Sequence, residues 1–303
     1  MISVLQRIKQ GEATLPPRIT LAGPEGIGKS TFASQAPKPL FLSAEEGLTG
    51  LEHVSRISPT SLVDLLGILD GLEQDMGGHK TLVIDTADWL ERLVYAGMCL
   101  RDNKANIEDY GYGKGFTIAE SEFSAILGRL DRIRQAHKVV IIILSHVQIR
   151  TFKDPSGGEW DRYEMKGNKK VTGILREWAD ACLFAVTPVF KTKDKSEKSS
   201  RAVSGERVIH TVWSPAWDAK NRLNLPPEIP FPADRSWAEF AQAVEENSIS
   251  SIRSKVNTAY AAAAIPEAEK AKWSKWIANV NSAPIETLKG ALAKLETLAA
   301  TPK

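Results

Sequence analysis

The chain has 303 residues, a hydrophobic fraction of 43% and a net charge of only +2. That bounds it to one large domain, or one domain plus an appendage, able to bury a real core, and any nucleic-acid contact must come from a local patch and not from the whole surface. Its two cysteines, Cys99 and Cys182, lie far apart with no metal-type spacing, which fits a reducing compartment and argues against a disulfide framework.

Residues 1–15 read as an N-terminal arm, with a short amphipathic helix over Met1 to Lys9 that lacks the apolar core of a signal peptide. The longest aliphatic run, Val139 to Leu144, is far too short to span a bilayer, so the expected location is cytoplasmic, with no membrane partner. Arg18 to Ala22 reads as a short buried strand, and Ser30 to Gln35 opens a helix. Pro39 to Ser43 is a second strand, and Ser61 to Gln74 a helix with Leu62, Leu65, Leu66 and Leu69 on one face, broken by Gly77 and Gly78. Thr81 to Asp85 is aliphatic on both faces, as a central parallel strand should be. Phe123, Ile126, Leu127, Leu130 and Ile133 make a helical stripe before the strand Val139 to Leu144. Ala181 to Val186 and Arg207 to Val212 add two strands, with a lysine-rich hairpin tip at 191–201 between them.

This alternation implies an α/β fold, a doubly wound sheet with its ligand at the carboxyl ends of the strands, over residues 16–226. Four prolines between Pro226 and Pro232 read as a linker, placed at 227–235. Residues 236–303 read as a small helical C-terminal region. Ser282 is the expected cap of its last helix, Pro284 stands in the first turn, and Ile285, Leu288, Leu292, Leu295 and Leu298 form a face. Trp273, Trp276, Ile277 and Val280 are its expected core.

Gly23-Pro24-Glu25-Gly26-Ile27-Gly28-Lys29-Ser30, followed by Thr31, is a complete phosphate-binding loop between a strand and a helix. The glycines let successive N–H groups turn toward phosphate oxygens. Lys29 can reach the β- and γ-phosphates, and the Ser30 hydroxyl can ligate Mg²⁺. Asp85 ends an aliphatic strand where a second metal-holding carboxylate is expected. The expected ligands are therefore ATP and Mg²⁺, with Ser30 and Asp85 at the metal. GTP stays open, because no guanine-reading motif is evident. Thr86 follows Asp85, so the base that activates water must come from elsewhere. Glu45 and Glu46 stand just past the second strand, and Glu45 is the favoured candidate for accepting a proton from water.

Two segments interleave cations with aromatics, which suits single strands: the charges follow phosphates and the rings stack on bases. The first carries Arg101, Lys104, Tyr112 and Lys114. The second carries Arg150, Lys153, Arg162, Lys166, Lys169 and Lys170 beside Phe152, Trp160 and Tyr163. Acidic neighbours offset much of the second segment's charge, so a solvated lid over the nucleotide is the other reading.

Ser43-Ala44-Glu45-Glu46-Gly47-Leu48 resembles the D-A-E-x-x-L segment of RecA-type recombinases, whose glutamate activates water. Ser145-His146 stands where that superfamily has an Asn-Gln pair, and the resemblance implies that His146 senses the γ-phosphate. An ordinary strand-end histidine is the other reading. Further matches are Pro37 to Leu42, Tyr110-Gly111-Tyr112-Gly113-Lys114, Phe152-Lys153-Asp154-Pro155, Trp160-Asp161-Arg162-Tyr163, Leu175 to Asp180 and Trp217 to Arg222. Together they resemble a family of phage-encoded, RecA-like P-loop ATPases of the AAA type, associated with single-strand DNA annealing and recombination. Lys220-Asn221-Arg222 resembles the start of the K-N-R-F-G element of bacterial RadA proteins, without its F-G half. The resemblance implies that Lys220 and Arg222 act as fingers on a neighbour's γ-phosphate. It also implies hydrolysis stimulated by DNA or assembly, and a homo-oligomeric ring or filament. The expected partners are single-stranded DNA and a single-strand-binding protein or another replication or recombination protein, in a phage-infected host. Two other functions remain open: a replication accessory ATPase such as a helicase loader, and an ATP-gated DNA-binding scaffold with negligible turnover.

Overall fold

The computed structural model describes residues 15–43, 51, 54–193, 200–263 and 265–300. The strands, in chain order, are β1 (Arg18–Ala22), β2 (Pro39–Ser43), β3 (Ser55–Ile57), β4 (Thr81–Asp85), β5 (Val140–Ser145), β6 (Val147–Lys153), β7 (Glu159–Met165), β8 (Ala181–Val186), β9 (Val189–Lys193), β10 (Ser200–Ser204), β11 (Val208–His210), β12 (Lys220–Asn221) and β13 (Glu228–Pro230). The helices are α1 (Lys29–Ser34), α2 (Leu62–Gln74), α3 (Ala87–Arg101), α4 (Lys114–His137), α5 (Lys169–Trp178), α6 (Ser236–Glu246), α7 (Ile249–Ala262), α8 (Glu267–Ile277) and α9 (Ile285–Ala300). Among the described residues, the main sheet runs β13-β11-β8-β1-β5-β4-β2-β3, with β12 also paired to β8. From β8 to β3 every pairing is parallel, while β11, β12 and β13 join antiparallel.

Both faces are covered, so the central strands are aliphatic on both sides, and the expected mixed α/β fold is the one observed. On one face Leu40, Leu42, Leu82, Ile84, Ile141 and Ile143 pack against the apolar stripes of α2, α3, α4 and α5. On the other face Ile19, Leu21, Phe41, Val83, Ile142 and Leu144 pack against α1 and α6. α6 belongs to this second layer. Its Phe240 and Trp237 sit 5.7 and 5.3 Å from the ring of Phe32 on α1, and Gln35 accepts from the Trp237 N–H at 3.1 Å.

The proline-rich segment differs from its reading as a linker. It contains β13, with Pro230 opposite Val208 at the sheet's outer edge. A proline is tolerated there because no further strand needs its missing N–H. The first helix beyond it is part of the main core. Helices α7, α8 and α9 enclose a smaller core of Ile252, Val256, Val280, Leu288 and Leu295, against which Trp273, Trp276 and Ile277 pack. The segment read as a second DNA loop is an ordered two-stranded ribbon, β6 with β7, from Val147↔Met165 to Lys153↔Glu159. The lysine-rich tip read at 191–201 falls on the β9–β10 hairpin, and residues 194–199 lie outside the described residues. No described helix is long and apolar enough to cross a membrane.

Candidate nucleotide-binding site

The loop between β1 and α1 occupies the carboxyl edge of the parallel strands. Gly26 and Gly28 adopt φ of 73° and 109°, in the left-handed region that favours glycine. Gly23 is needed for a different reason: a Cβ there would lie 2.7 Å from the Ala185 carbonyl of β8. The loop is held from both sides. The Gly23 N–H donates to Ser145 O at 3.2 Å, and Arg207, just before β11, donates to Ile27 O at 2.9 Å. Pro24 and Glu25 form the solvent side of the loop, while Ile27 is buried.

Lys29 is buried, and its ammonium donates to the carbonyls of Gly23 and Pro24, both at 2.9 Å. It thus bridges the loop across its own mouth. Burial lowers its pKa, and the opposing negative charges of Asp85, Asp88 and Glu25 only partly restore it. The Ser30 hydroxyl donates to Asp85 Oδ2 at 2.8 Å. The register fixes this meeting, because β4 and β1 flank β5, with Ala22 beside Ser145 and Asp85 beside Leu144. Thr31 follows in α1, where its carbonyl accepts from the Ser34 hydroxyl at 2.8 Å. Serine and aspartate supply an oxygen-only donor pair, which suits Mg²⁺, a cation that is bound through one or two side chains plus substrate phosphates. No cluster of three or more His, Cys, Asp or Glu side chains able to cage a metal exists among the described residues.

His146 leaves β5 at the same edge. Its Nδ1 lies 3.1 and 3.3 Å from the two oxygens of Asp88, in the first turn of α3. Asp88 also accepts from the Thr86 hydroxyl at 2.7 Å. Burial alone would raise the Asp88 pKa, but the Thr86 hydrogen bond and the His146 interaction outweigh it and hold the carboxyl below its ordinary value. Asp88 was not singled out in the sequence, and Thr86 only as the residue that supplies no base. The available signal was a second carboxylate three residues after Asp85, which by itself reads as a helix-start acid. Glu45 and Glu46 lie outside the described residues.

The finger residues lie elsewhere. β12 pairs antiparallel with the start of β8, Asn221 opposite Ala181, and the Arg222 N–H donates to Asp180 O at 3.0 Å. Both residues are therefore at the amino edge of the sheet, one β1 strand away from the loop, about 15 Å at ~3.3 Å per residue. Arg222 is exposed. The Lys220 ammonium donates to the carbonyls of Arg176, Glu177 and Ala179 at 2.8, 2.8 and 2.7 Å. All three of its N–H groups close the C-terminus of α5. In this geometry Lys220 is a helix cap.

The cation-rich segments meet at one place. Lys170 donates to the Thr117 hydroxyl at 2.6 Å and pairs with Glu120 at 3.5 Å, joining the start of α5 to the start of α4. Lys114, Lys166 and Lys169 are exposed and form no ion pair among the described residues. Tyr112 is fully exposed. Lys104 lies 5.9 Å from the Tyr110 ring. The others are engaged: Arg101 with Glu122 at 2.5 Å and Asp102 at 3.0 Å, Arg150 with Gly167 O at 2.8 Å, and Lys153 with Glu159 at 3.9 Å. Arg162 departs furthest from expectation. It is buried, pairs with Asp218, and lies between the rings of Phe152 and Trp213 at 5.3 and 5.8 Å. A buried, paired guanidinium holds the ribbon to the 213–218 segment and offers no surface for phosphate.

A family model described as an AAA domain matches residues 15–223. The chain belongs to this AAA domain family. The matched span takes in the P-loop, Asp85, His146 and Arg222, and it leaves out β13 and α6 to α9. No curated protein matches the AAA chain in sequence. Among solved structures, the crystal structure of the RadB recombinase is similar at 14% identity, with a TM-score of 0.41, covering 72% of this chain and 90% of that one.

Proposed function

We propose that this AAA-type P-loop protein binds and hydrolyses ATP with Mg²⁺, and couples that cycle to binding single-stranded DNA and promoting its annealing or pairing. The observation that carries the ATPase reading is the Ser30–Asp85 hydrogen bond beneath a complete phosphate loop, with the Lys29 ammonium across the loop's mouth. Ser30 and Asp85 are the residues that would hold Mg²⁺, which when bound neutralises charge on the β- and γ-phosphates. Lys29 exchanges its carbonyl contacts for phosphate oxygens. Glu45 is proposed to take a proton from the attacking water, and His146 to contact the terminal phosphate group.

The DNA reading is supported by the exposed cations Lys114, Lys166, Lys169 and Lys170 and by the exposed ring of Tyr112. Arg222 is exposed and lies at the sheet edge opposite its own loop, so any contact with a γ-phosphate is with a neighbouring copy's. An assembly of like subunits is therefore part of this reading. Purified protein tests the reading. ATP turnover should be present, be lost in Lys29→Ala, and rise with single-stranded DNA, and complementary strands should anneal faster with protein and ATP. Absence of turnover with and without DNA overturns the ATPase reading. Turnover without any DNA binding or annealing leaves an ATPase that acts on another partner.

A further inference from the structure

We infer that Asp88 is a positioning residue for ATP turnover, acting through His146 by leaving Nε2 as the acceptor that faces the water at the terminal phosphate; this rests on the ATPase reading above. The Asp88 side chain is only 7% exposed, whereas that of His146 is 26% exposed. Three groups face the carboxylate. The Thr86 hydroxyl donates at 2.7 Å, His146 Nδ1 lies at 3.1 Å, and the exposed Arg92 guanidinium stands off at 4.0 Å. An ionised carboxylate can only accept, so Nδ1 must carry the hydrogen. Nε2 is then left as an acceptor, able to take a hydrogen bond from the water at the terminal phosphate, and which nitrogen of a histidine is protonated is set by the hydrogen bond the other one makes.

The backbone places His146 at the sheet edge that carries the phosphate loop. His146 follows β5, which lies between the strand feeding the phosphate loop and the strand ending in Asp85. The His146 carbonyl is held by two donors, the Ser145 hydroxyl and the Lys166 N–H, both at 2.9 Å. The ring therefore pivots only about its own side-chain bonds, and Asp88 restrains those. A capping role does not account for the carboxylate, because the Thr86 hydroxyl already caps α3 by accepting from the Trp89 N–H. The Asp88 charge also acts on Lys29, which places it within electrostatic reach of the phosphate loop.

Two measurements test the inference. In ¹⁵N-edited NMR of the histidine rings at pH 8, assigned by His146→Ala, the parent should show His146 as the Nδ1–H form, and Asp88→Ala should lose that preference. In steady-state ATPase assays, Asp88→Ala should lower kcat by about 10- to 100-fold, since the ring it orients contributes on the order of 10²–10⁴. ATP affinity, measured separately with a fluorescent analogue, should stay within about threefold. The double variant Asp88→Ala/His146→Ala should be no slower than His146→Ala alone, because a residue acting through another adds nothing once that other is gone. An Nε2–H ring in the parent, an unchanged kcat in Asp88→Ala, or additive losses in the double variant overturns the inference while the parent still hydrolyses ATP. A parent with no turnover overturns the ATPase reading itself. The parent's ring spectrum is decisive even where Asp88→Ala does not fold.

Discussion

Replacing Lys220 with methionine separates a helix cap from a phosphate finger. The ammonium closes three carbonyls at the end of α5, at 2.7 to 2.8 Å. Burial lowers its pKa, with the nearby Arg222 charge acting in the same direction, so the group is partly withdrawn from water. A hydrogen bond to a charged group contributes about 1.5–3 kcal/mol, and a cation at a helix C-terminus contributes roughly 0.3–2 kcal/mol. The three bonds share one charge and do not add, and half-exposed carbonyls recover water once the lysine is gone. The expected loss is therefore about 2–3 kcal/mol, or roughly 5–10 °C in Tm for a domain of this size. Methionine keeps the length of the apolar stem, so packing along it changes little. Urea denaturation followed by circular dichroism reads the effect, with Arg222→Met as the comparison. Arg222 is exposed, and its replacement should stay within about 0.5 kcal/mol of the parent. A Lys220→Met protein that unfolds at the parent's midpoint yet loses ATP turnover would refute the cap and restore the finger.

Glu45→Gln should bind ATP normally and hydrolyse it some 10²–10⁴-fold more slowly, and a larger loss in Glu46→Gln at intact affinity reverses the assignment. Replacing Lys166, Lys169 and Lys170 together should weaken single-strand binding and flatten its dependence on salt, because fewer counterions are released; an unchanged slope in a salt titration moves the DNA site elsewhere. His210 is buried against Trp217, with ring centroids 4.0 Å apart, and burial lowers its pKa despite the Glu228 carboxylate. The unfolded chain then binds the proton first, so stability is complete above about pH 6.5 and falls as pH drops through the folded value. Denaturation midpoints measured from pH 7.5 to 5 should decline in the parent and stay flatter in His210→Asn. Asp180, held ionised between Arg18 and Arg134, loses its contribution only below its ordinary range near 3.8, so the two windows are separable.

The parts of the site that were legible in the sequence are those whose chemistry is local. The phosphate loop is eight consecutive residues, and its two left-handed glycines stand where the motif requires them. Asp85 was legible because an aliphatic strand ends on it, and parallel pairing at a fixed register does the rest. The Asp88–His146 pair joins residues 58 apart, and nothing in either neighbourhood names the other. Lys220 shows the same limit from the opposite side. A lysine beside an arginine reads as a surface cation, and only the antiparallel β12–β8 pairing brings it under the last turn of α5. Arg162 looked like one more cation in an aromatic stretch. The alternation of β7 turned it inward, where Asp218 from a distant segment awaits it.

The boundary after the matched domain follows the same physics. Four prolines argue against a strand in the middle of a sheet, and that argument holds for every position except the outermost one. β13 takes that position, and its Ile229 is buried together with the nearby Phe231. Phe231 then lies 6.0 Å from Phe32 of α1, the helix that carries Lys29 and Ser30. Phe240 and Trp237 of α6 complete the same aromatic cluster. Together with Arg207, which holds the Ile27 carbonyl, these contacts brace the phosphate loop's helix from behind. A chain cut at the proline-rich segment would therefore lose the packing that fixes α1, although every residue of the phosphate-loop motif would still be present.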